Sequence, residues 1–304
     1  MDQTTDMAAG PSDGLRLAGR ATPGVLPAAR ARWVPVAVAL AALLAVYAPV
    51  VAEMAVEWAR FPSLSHGFVV PLVSAYLIWR RRELIAAEPL GSTRAGLAVL
   101  VAALGLLVAG VLTGESFVSR LSLPLALLGM TLYLTGPRVT SHVWPAIAYL
   151  VFMIPFPYLP LREVTFQSRL FEAGVTARML RWLGVPVLKQ GVMLHLPSMT
   201  VEVADDCSAV RAIPALVALG VAYARLQPGA AWIRGTLALS AAPLGLVANL
   251  VRLVLTVLGA YYVGPVTLTS PLHRFGGTTV FVAAVVLLAG LGRVLPRLAW
   301  TVHR

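Results

Sequence analysis

Eight apolar runs separated by short polar segments constrain this chain more than any other feature. A helix of about 20 apolar residues crosses about 30 Å of hydrocarbon, and the two shortest runs, the second and fifth, are counted as spans because their flanks are typical of membrane boundaries. Hydrophobic residues make up 59% of the chain and charged residues 12%, which excludes a soluble globular protein. We therefore predict an all-α polytopic membrane protein with about eight transmembrane helices. The runs cover approximately residues 33–51, 67–79, 95–113, 121–135, 143–156, 209–223, 235–263 and 275–295.

The arginines predict the orientation of these spans. If the N-terminus is cytoplasmic, fourteen arginines fall in cytoplasmic tails or short loops, as the positive-inside rule requires. Both chain ends are then cytoplasmic, and the net charge of +11 indicates contact with anionic lipid and not with nucleic acid. The fourteen are Arg16, Arg20, Arg30, Arg32, Arg80, Arg81, Arg82, Arg94, Arg138, Arg225, Arg234, Arg293, Arg297 and Arg304.

Two segments flank or interrupt the spans. Residues 1–30 are polar and rich in Gly, Pro and Ala, which predicts a disordered cytoplasmic tail ahead of a single membrane domain over residues 31–304. Residues 155–206 are long enough for a small extracytoplasmic cap. After the Pro-rich IPFPYLP, apolar residues at helical spacing predict an amphipathic helix on the membrane surface. Alternation from Val192 to Leu196 and from Val201 to Val203 then predicts a short hairpin.

The hairpin leads into VEVADDCSAVRAI, residues 201–213, which contains the only cysteine of the chain. A lone cysteine is most often inert packing. Cys207, however, has Asp205, Asp206 and Arg211 within four residues, at the start of span six, and such polar surroundings are typical of reactive thiols. The sequence therefore offers Cys207 as a candidate nucleophile.

The predicted topology brings two further groups to the same outer side. His273 lies just before span eight, and Arg252 lies near the outer end of span seven, with Asn249 one turn earlier on the same face. A buried charge in a span indicates function by default. Two other interpretations stay open: Arg252 could extend to lipid headgroups, and His273 could belong to an ordinary interfacial loop. A thiol, an imidazole and a guanidinium together are what acyl transfer needs.

Four motifs resemble the exosortase and archaeosortase family of membrane transpeptidases, over roughly residues 65–277. SHGFVVPLVSAYLIWRRR at residues 65–82 is similar to an early segment of the family, and Cys207 with Ser208 to its nucleophile block. ANLVRLV carries an NxxR pattern as Asn249 and Arg252, and residues 273–277 give HxxxG. The resemblance implies a nucleophile at Cys207, an activating or oxyanion arginine at Arg252 and an acid/base at His273.

The family also implies partners and a location. Its members cleave a C-terminal sorting tail, made of a short motif such as Pro-Glu-Pro, a transmembrane helix and basic residues, and resolve a thioester with a second nucleophile. By resemblance, this chain is a cysteine-type peptidase or transpeptidase of the bacterial inner membrane, with its site facing the periplasm. Its partners would be tail-bearing proteins, the lipid bilayer and an unknown acceptor nucleophile. We expect no cofactor, no metal and no nucleic acid.

Two positions depart from the family pattern. Ala209 replaces the usual glycine after Cys-Ser, and Asp206 puts a carboxylate directly before the cysteine. A neighbouring negative charge disfavours the thiolate unless Arg252 or Arg211 compensates for it.

Two alternatives of other classes remain at this point. One is a transporter or polysaccharide-export component, in which Asp205, Asp206, Arg252 and His273 line a polar pathway. The other is a non-catalytic relative that binds sorting tails without cutting them. Replacement of Cys207 by serine distinguishes a transporter from a thiol enzyme, because only the enzyme requires the thiol.

Overall fold

The computed structural model describes residues 32–155, 158–204, 209–227, 230–269 and 276–302. Its α-helices are α1 (Val34–Val46), α2 (Ala48–Arg60), α3 (Val69–Arg80), α4 (Arg82–Ala87), α5 (Arg94–Thr113), α6 (Ser116–Tyr149), α7 (Tyr158–Trp182), α8 (Ala209–Leu226), α9 (Ala231–Tyr262), α10 (Val266–Thr269) and α11 (Gly276–Val302). Short 3-10 helices cover Pro62–Phe68 and Leu150–Met153. The strands are β1 (Leu188–Gln190), β2 (Met193–His195) and β3 (Thr200–Glu202). The predicted tail, residues 1–30, lies outside the described residues.

The predicted fold class, an all-α polytopic membrane protein, is confirmed. Five helical stretches of the described chain are long and apolar enough to cross a membrane, and two shorter apolar helices accompany them. Each of the eight predicted spans overlaps one of these seven stretches, and Ser116–Met153 contains the fourth and most of the fifth. The five are Val34–Arg60, Pro62–Arg80, Arg94–Thr113, Ser116–Met153 and Ala231–Tyr262, and the shorter two are Ile213–Leu226 and Thr279–Leu295.

A single residue, Gly136, separates the fourth span from the fifth inside α6. Its backbone has φ 83° and ψ 176°, outside the helical region and open mainly to glycine. Pro137 follows, and a proline is tolerated in the first turn of a new helix because its missing N–H needs no partner there. The sequence predicts a loop over residues 136–142 between these two spans. In the structure, Gly136 is the one residue of this segment with a non-helical backbone.

Close contact between glycines and a neighbouring backbone joins α5 to the first half of α6. A Cβ atom at Gly96 would lie 2.2 Å from the nitrogen of Tyr133, and one at Gly129 would lie 2.5 Å from the nitrogen of Leu100. In lipid the hydrophobic effect does not drive helices together, so van der Waals packing of such small residues must hold the pair. The pair therefore forms an antiparallel helical hairpin with its backbones in contact.

A buried ion pair ties α2 to the start of α6. Arg120 donates from Nη1 to Glu57 Oε2 at 3.0 Å and from Nη2 to Glu57 Oε1 at 2.6 Å. The Arg120 side chain is only 7% exposed and that of Glu57 is 33% exposed, so removal of Glu57 would leave the guanidinium charge in a poorly solvated position. Nearby, Trp58 Nε1 donates to the carbonyl oxygen of Met153 at 2.9 Å, which joins α2 to the end of the fifth span.

The bundle has a basic end, defined by Arg81, Arg225 and Arg234, which line one cavity. All three are among the arginines that the charge pattern assigns to the cytoplasm. At this end, α3 packs antiparallel to the second half of α6. Ser74 Oγ donates to the carbonyl oxygen of Ala146, and Arg81 Nη1 donates to that of His142. Along α9, Arg252 lies about 27 Å from Arg234, near the opposite end.

That opposite end, the cap end, consists of α7 and the sheet packed on the C-terminal half of α9. The sheet is antiparallel in the order β1-β2-β3, with Leu194 opposite Val201. The predicted hairpin is therefore confirmed as β2–β3, whereas β1 was not predicted. Leu194, Leu196, Val201 and Val203 share a buried cluster with Leu253, Val254 and Val257 of α9 and with Ala173, Ala177 and Leu180 of α7.

The predicted cap helix is also confirmed, as α7, but its packed face differs from the apolar stripe that the sequence indicated. Val164 and Phe171 are both 55% exposed. The fully buried face contains the smaller residues Ala173, Thr176 and Ala177, together with Glu172 and Leu180. The small side chains let α7 approach its neighbours closely.

Candidate active site

Helix register determines which residues share a depth at the cap end. α8 and α9 are antiparallel, because a Cβ atom at Gly245 would lie 2.4 Å from Leu216 Cδ1 and one at Gly220 would lie 2.7 Å from Ala241 Cβ. Toward the cap end, Ala209, the first residue of α8, lies about two turns beyond Leu216, and Arg252 lies about two turns beyond Gly245. Ala209 and Arg252 are therefore at the same level.

The start of α11 reaches the same depth. Val280 and Ala284 of α11 share a buried cluster with Ala248 of α9 and Leu216 of α8. Because α11 is antiparallel to α9, moving about one turn from Val280 toward the cap end brings Gly276 level with Arg252. One layer therefore contains Arg252 of α9 and the first residues of α8 and α11, Ala209 and Gly276.

A buried carboxylate, Glu172 of α7, is the polar centre of the described part of this layer. Glu172 is 0% exposed, and Asn249, which donates from Nδ2 to Glu172 Oε2 at 3.0 Å, is 2% exposed. Ser168 donates from Oγ to Glu172 Oε1 at 2.8 Å. Burial of a carboxylate is costly unless hydrogen bonds compensate, and here both oxygens accept one. The hydrogen bonds that join Ser168, Glu172 and Asn249 thus hold α7 against α9 one turn before Arg252.

Arg252 itself is partly buried and lies three residues after Asn249 on the same face of α9. The next two residues, Leu253 and Val254, are both 5% exposed in the cluster that carries the sheet. Arg252 therefore lies on α9 at the level of the cap.

A second arginine, Arg169 of α7, holds the end of β3. Its Nε donates to the carbonyl oxygen of Val203 at 2.5 Å, and its Nη2 lies 2.9 Å from Glu202 Oε1. The Arg169 side chain is 12% exposed, so this pair is shielded on the arginine side. The nitrogen of Val203 donates to the carbonyl oxygen of Val192 at 3.0 Å. These bonds fix the chain at the last residues described before position 205.

Several sequence-predicted site residues lie outside the described residues. These are Asp206, Cys207 and Ser208, between β3 and α8, and His273, between α10 and α11. Arg211 belongs to the first turn of α8, and only its backbone is described. Of the predicted set, Arg252 and Asn249 therefore have a described geometry.

Sequence reasoning missed Glu172, Ser168 and Arg169, which lie in the helix predicted for the membrane surface. One signal could have found Glu172: it adjoins Ala173, Thr176 and Ala177, and a stripe of small residues on one helix face indicates close packing. Within the described ranges, no group of three or more His, Cys, Asp and Glu could hold a metal ion.

Comparison with protein families gives one match over most of the chain. A family model described as transmembrane exosortase (Exosortase_EpsH) matches residues 58–290. The match includes α7, the sheet, Arg252 and the positions of Cys207 and His273. Neither the comparison with curated proteins nor the comparison with solved structures gives a match.

Proposed function

Because the chain belongs to the transmembrane exosortase family, we propose that it is a cysteine transpeptidase that cleaves C-terminal sorting tails and transfers the exported protein to an envelope acceptor. Family membership identifies a multi-pass membrane protein of sorting-signal processing. The thiol chemistry, the substrates and the sidedness belong to the proposal.

One observation carries the proposal. The helix register brings Ala209 and Gly276 level with Arg252. In the sequence, Cys207 lies two residues before Ala209 and His273 lies three residues before Gly276. This closeness in sequence supports a site that combines the three groups, whereas a transporter pathway would not require a thiol and an imidazole so near the level of the guanidinium.

The proposed reaction begins with the thiol. His273 accepts the Cys207 proton, and Sγ attacks the carbonyl carbon of the scissile peptide bond. The guanidinium of Arg252 stabilises the oxyanion that develops on the carbonyl oxygen. The C–N bond then breaks, the amine of the departing tail takes the proton from His273, and a thioester remains on Cys207. The acceptor nucleophile attacks this thioester and releases the thiol.

The buried network supports this chemistry indirectly. Glu172 and Asn249 fix the rotation of α9 one turn from Arg252, and Arg169 fixes the strand that leads to Cys207. Misplacement of a reacting group by about 1 Å costs on the order of 10²-fold in rate. We assign these three residues a positioning role.

A covalent intermediate is the first expected result. Purified full-length protein is incubated in detergent with an exported reporter that ends in a Pro-Glu-Pro motif, a transmembrane helix and an arginine-rich end. We expect an adduct whose intact mass equals the protein plus the reporter without its tail. Hydroxylamine should release it, because thioesters react readily with this amine.

Two variants make this result specific. Cys207→Ala should give no adduct, whereas Ser198→Ala, in the exposed turn between β2 and β3, should behave as the wild type. Tail processing in cells by the Cys207→Ala variant at the wild-type level would contradict the thiol mechanism.

Sidedness is a separate expected result. A membrane-impermeant maleimide should label Cys207, the only cysteine, in cells with a permeabilised outer membrane and an intact inner membrane. The matched control is Arg82→Cys in a Cys207→Ala background, at an exposed position of the basic end, which should react only after the inner membrane is opened. The reverse pattern would invert the proposed topology.

A further inference from the structure

A polar cavity at the basic end has no part in the proposed chemistry. It lies between α3, α6, α8 and α9 and has a volume of about 180 Å³. Four arginines and one histidine line it, together with a small apolar wall. The lining residues are Leu77, Arg80, Arg81, His142, Pro145, Ala146, Arg225 and Arg234.

The charged residues that line this cavity are arginines. Within the described part of the chain none of its lining residues is acidic. Glu88 lies beside the cavity, where its Oε1 is 3.5 Å from His142 Nε2. Arg225 is close enough to Arg81 and Arg234 for their charges to repel. Guanidinium groups gathered against an apolar wall are stabilised when an anion lies between them.

Exposed tryptophans indicate the depth of the cavity in the bilayer. Trp79, Trp144 and Trp232 are 56%, 48% and 53% exposed, and each is a near neighbour in sequence of a lining residue. The Arg225 guanidinium lies 6.0 Å from the centroid of the Trp144 ring. Exposed tryptophans in membrane proteins concentrate at the level of the headgroups. The cavity is therefore at the depth of the lipid phosphates.

We infer that this cavity binds a phosphate-bearing anion. Arginine is suited to phosphate because its planar fork donates two hydrogen bonds to one group, and basic pockets between helices are suited to anionic headgroups. A volume of about 180 Å³ is smaller than the usual range for drug-sized ligands and fits a phosphate with little else. Two sources offer this chemistry: the headgroup of an anionic phospholipid and a soluble phosphate.

Titration calorimetry on the full-length protein in a nonionic detergent tests the inference. The probes are dioctanoyl phosphatidylglycerol, dioctanoyl phosphatidylcholine and soluble glycerol phosphate. We expect at least one anionic probe to bind at least about tenfold more tightly than the phosphatidylcholine. Selective binding of the phosphatidylglycerol identifies a lipid site, and binding of glycerol phosphate with equal affinity identifies a soluble ligand. Equal binding of all three probes, or of none, would overturn the inference.

A charge-matched pair of variants separates a site from a general attraction. The triple variant Arg81→Gln, Arg225→Gln and Arg234→Gln should weaken anion binding at least about tenfold. The control changes three exposed arginines outside the cavity, Arg82→Gln, Arg138→Gln and Arg293→Gln, and should alter binding less than about twofold. Equal losses in both variants would show that only net charge matters and would refute the site.

The single variant Arg225→Gln provides a second measurement if the triple variant does not fold. Arg225 is exposed and lies at the end of α8, so its loss should leave the fold intact. We expect about a threefold weaker affinity, with an unchanged elution volume in size-exclusion chromatography. Wild-type affinity in this variant would contradict a role for Arg225 in the site.

Discussion

Arg252→Lys is expected to reduce sorting-tail cleavage by about 10²–10³-fold while the amount of protein in the membrane stays unchanged. An ammonium keeps the positive charge but loses the planar fork that can hold an oxyanion from two directions. Alanine at Cys207, Arg252 or His273 should each abolish cleavage, because residues that act as a unit fail together. Cleavage of a tail-bearing reporter, followed by its change in mass, measures the effect.

Arg178→Lys is the matched control for this result. Arg178 lies on the exposed face of α7, so its replacement should leave the cleavage rate within about twofold of the wild type. Near-normal turnover by Arg252→Lys would show that only the charge at Arg252 is needed, and its oxyanion role would have to be dropped.

The second large effect concerns Glu172. Glu172→Ala should lower the free energy of unfolding by about 3 kcal/mol, because it removes a buried side chain and leaves Ser168 Oγ and Asn249 Nδ2 without the acceptor that they share. Cleavage should fall as well, through kcat more than KM, since the residue positions α9 and does not contact the scissile bond. Reversible unfolding in mixed detergent micelles and steady-state cleavage give the two readouts.

Two further variants separate positioning by Glu172 from general damage. Glu172→Gln keeps the shape and one acceptor oxygen, and a turn of the Asn249 amide can restore the second bond, so this variant should recover most of the stability and the activity. Glu163→Ala, on the exposed side of the same helix, should change stability by less than about 0.5 kcal/mol. If Glu172→Ala matches the wild type in both readouts, the network has no positioning role.

Local pattern was sufficient to predict the spans, the cap helix and the β2–β3 hairpin. The alternation of Leu194, Leu196, Val201 and Val203 is confirmed residue by residue, because a strand on an apolar surface must bury every second side chain. Residues whose contacts are with partners far away in the sequence were not predicted. Glu172 meets Asn249 across 77 positions, and Glu57 meets Arg120 across 63. Within one helical turn, only the small residues beside Glu172 indicate that its carboxylate is buried, and no neighbour in sequence indicates the partner of Glu172 or of Glu57.

The candidate site was predictable to a similar extent. Arg252 and Asn249 were found because polar residues inside an apolar span stand out, and the structure adds the residue that holds Asn249. The predicted roles of Cys207, Asp206, Ser208 and His273 stay predictions, as does that of the Arg211 side chain. Their assignment rests on the order of the motifs and on the positions at which α8 and α11 begin.

The shared layer of α8, α9 and α11 implies that changes in chain length are more harmful than changes in side chain along α9. One residue inserted between Ala241 and Arg252 would turn the guanidinium by about 100° around the helix and move it by about 1.5 Å, whereas the contact between Gly220 and Ala241 would stay as it is. Drift among natural sequences should therefore preserve the spacing from Ala241 to Arg252 more strictly than the identities of the apolar residues between them. Length variation should instead accumulate in the segments that join the helices, where an added residue changes no helical phase.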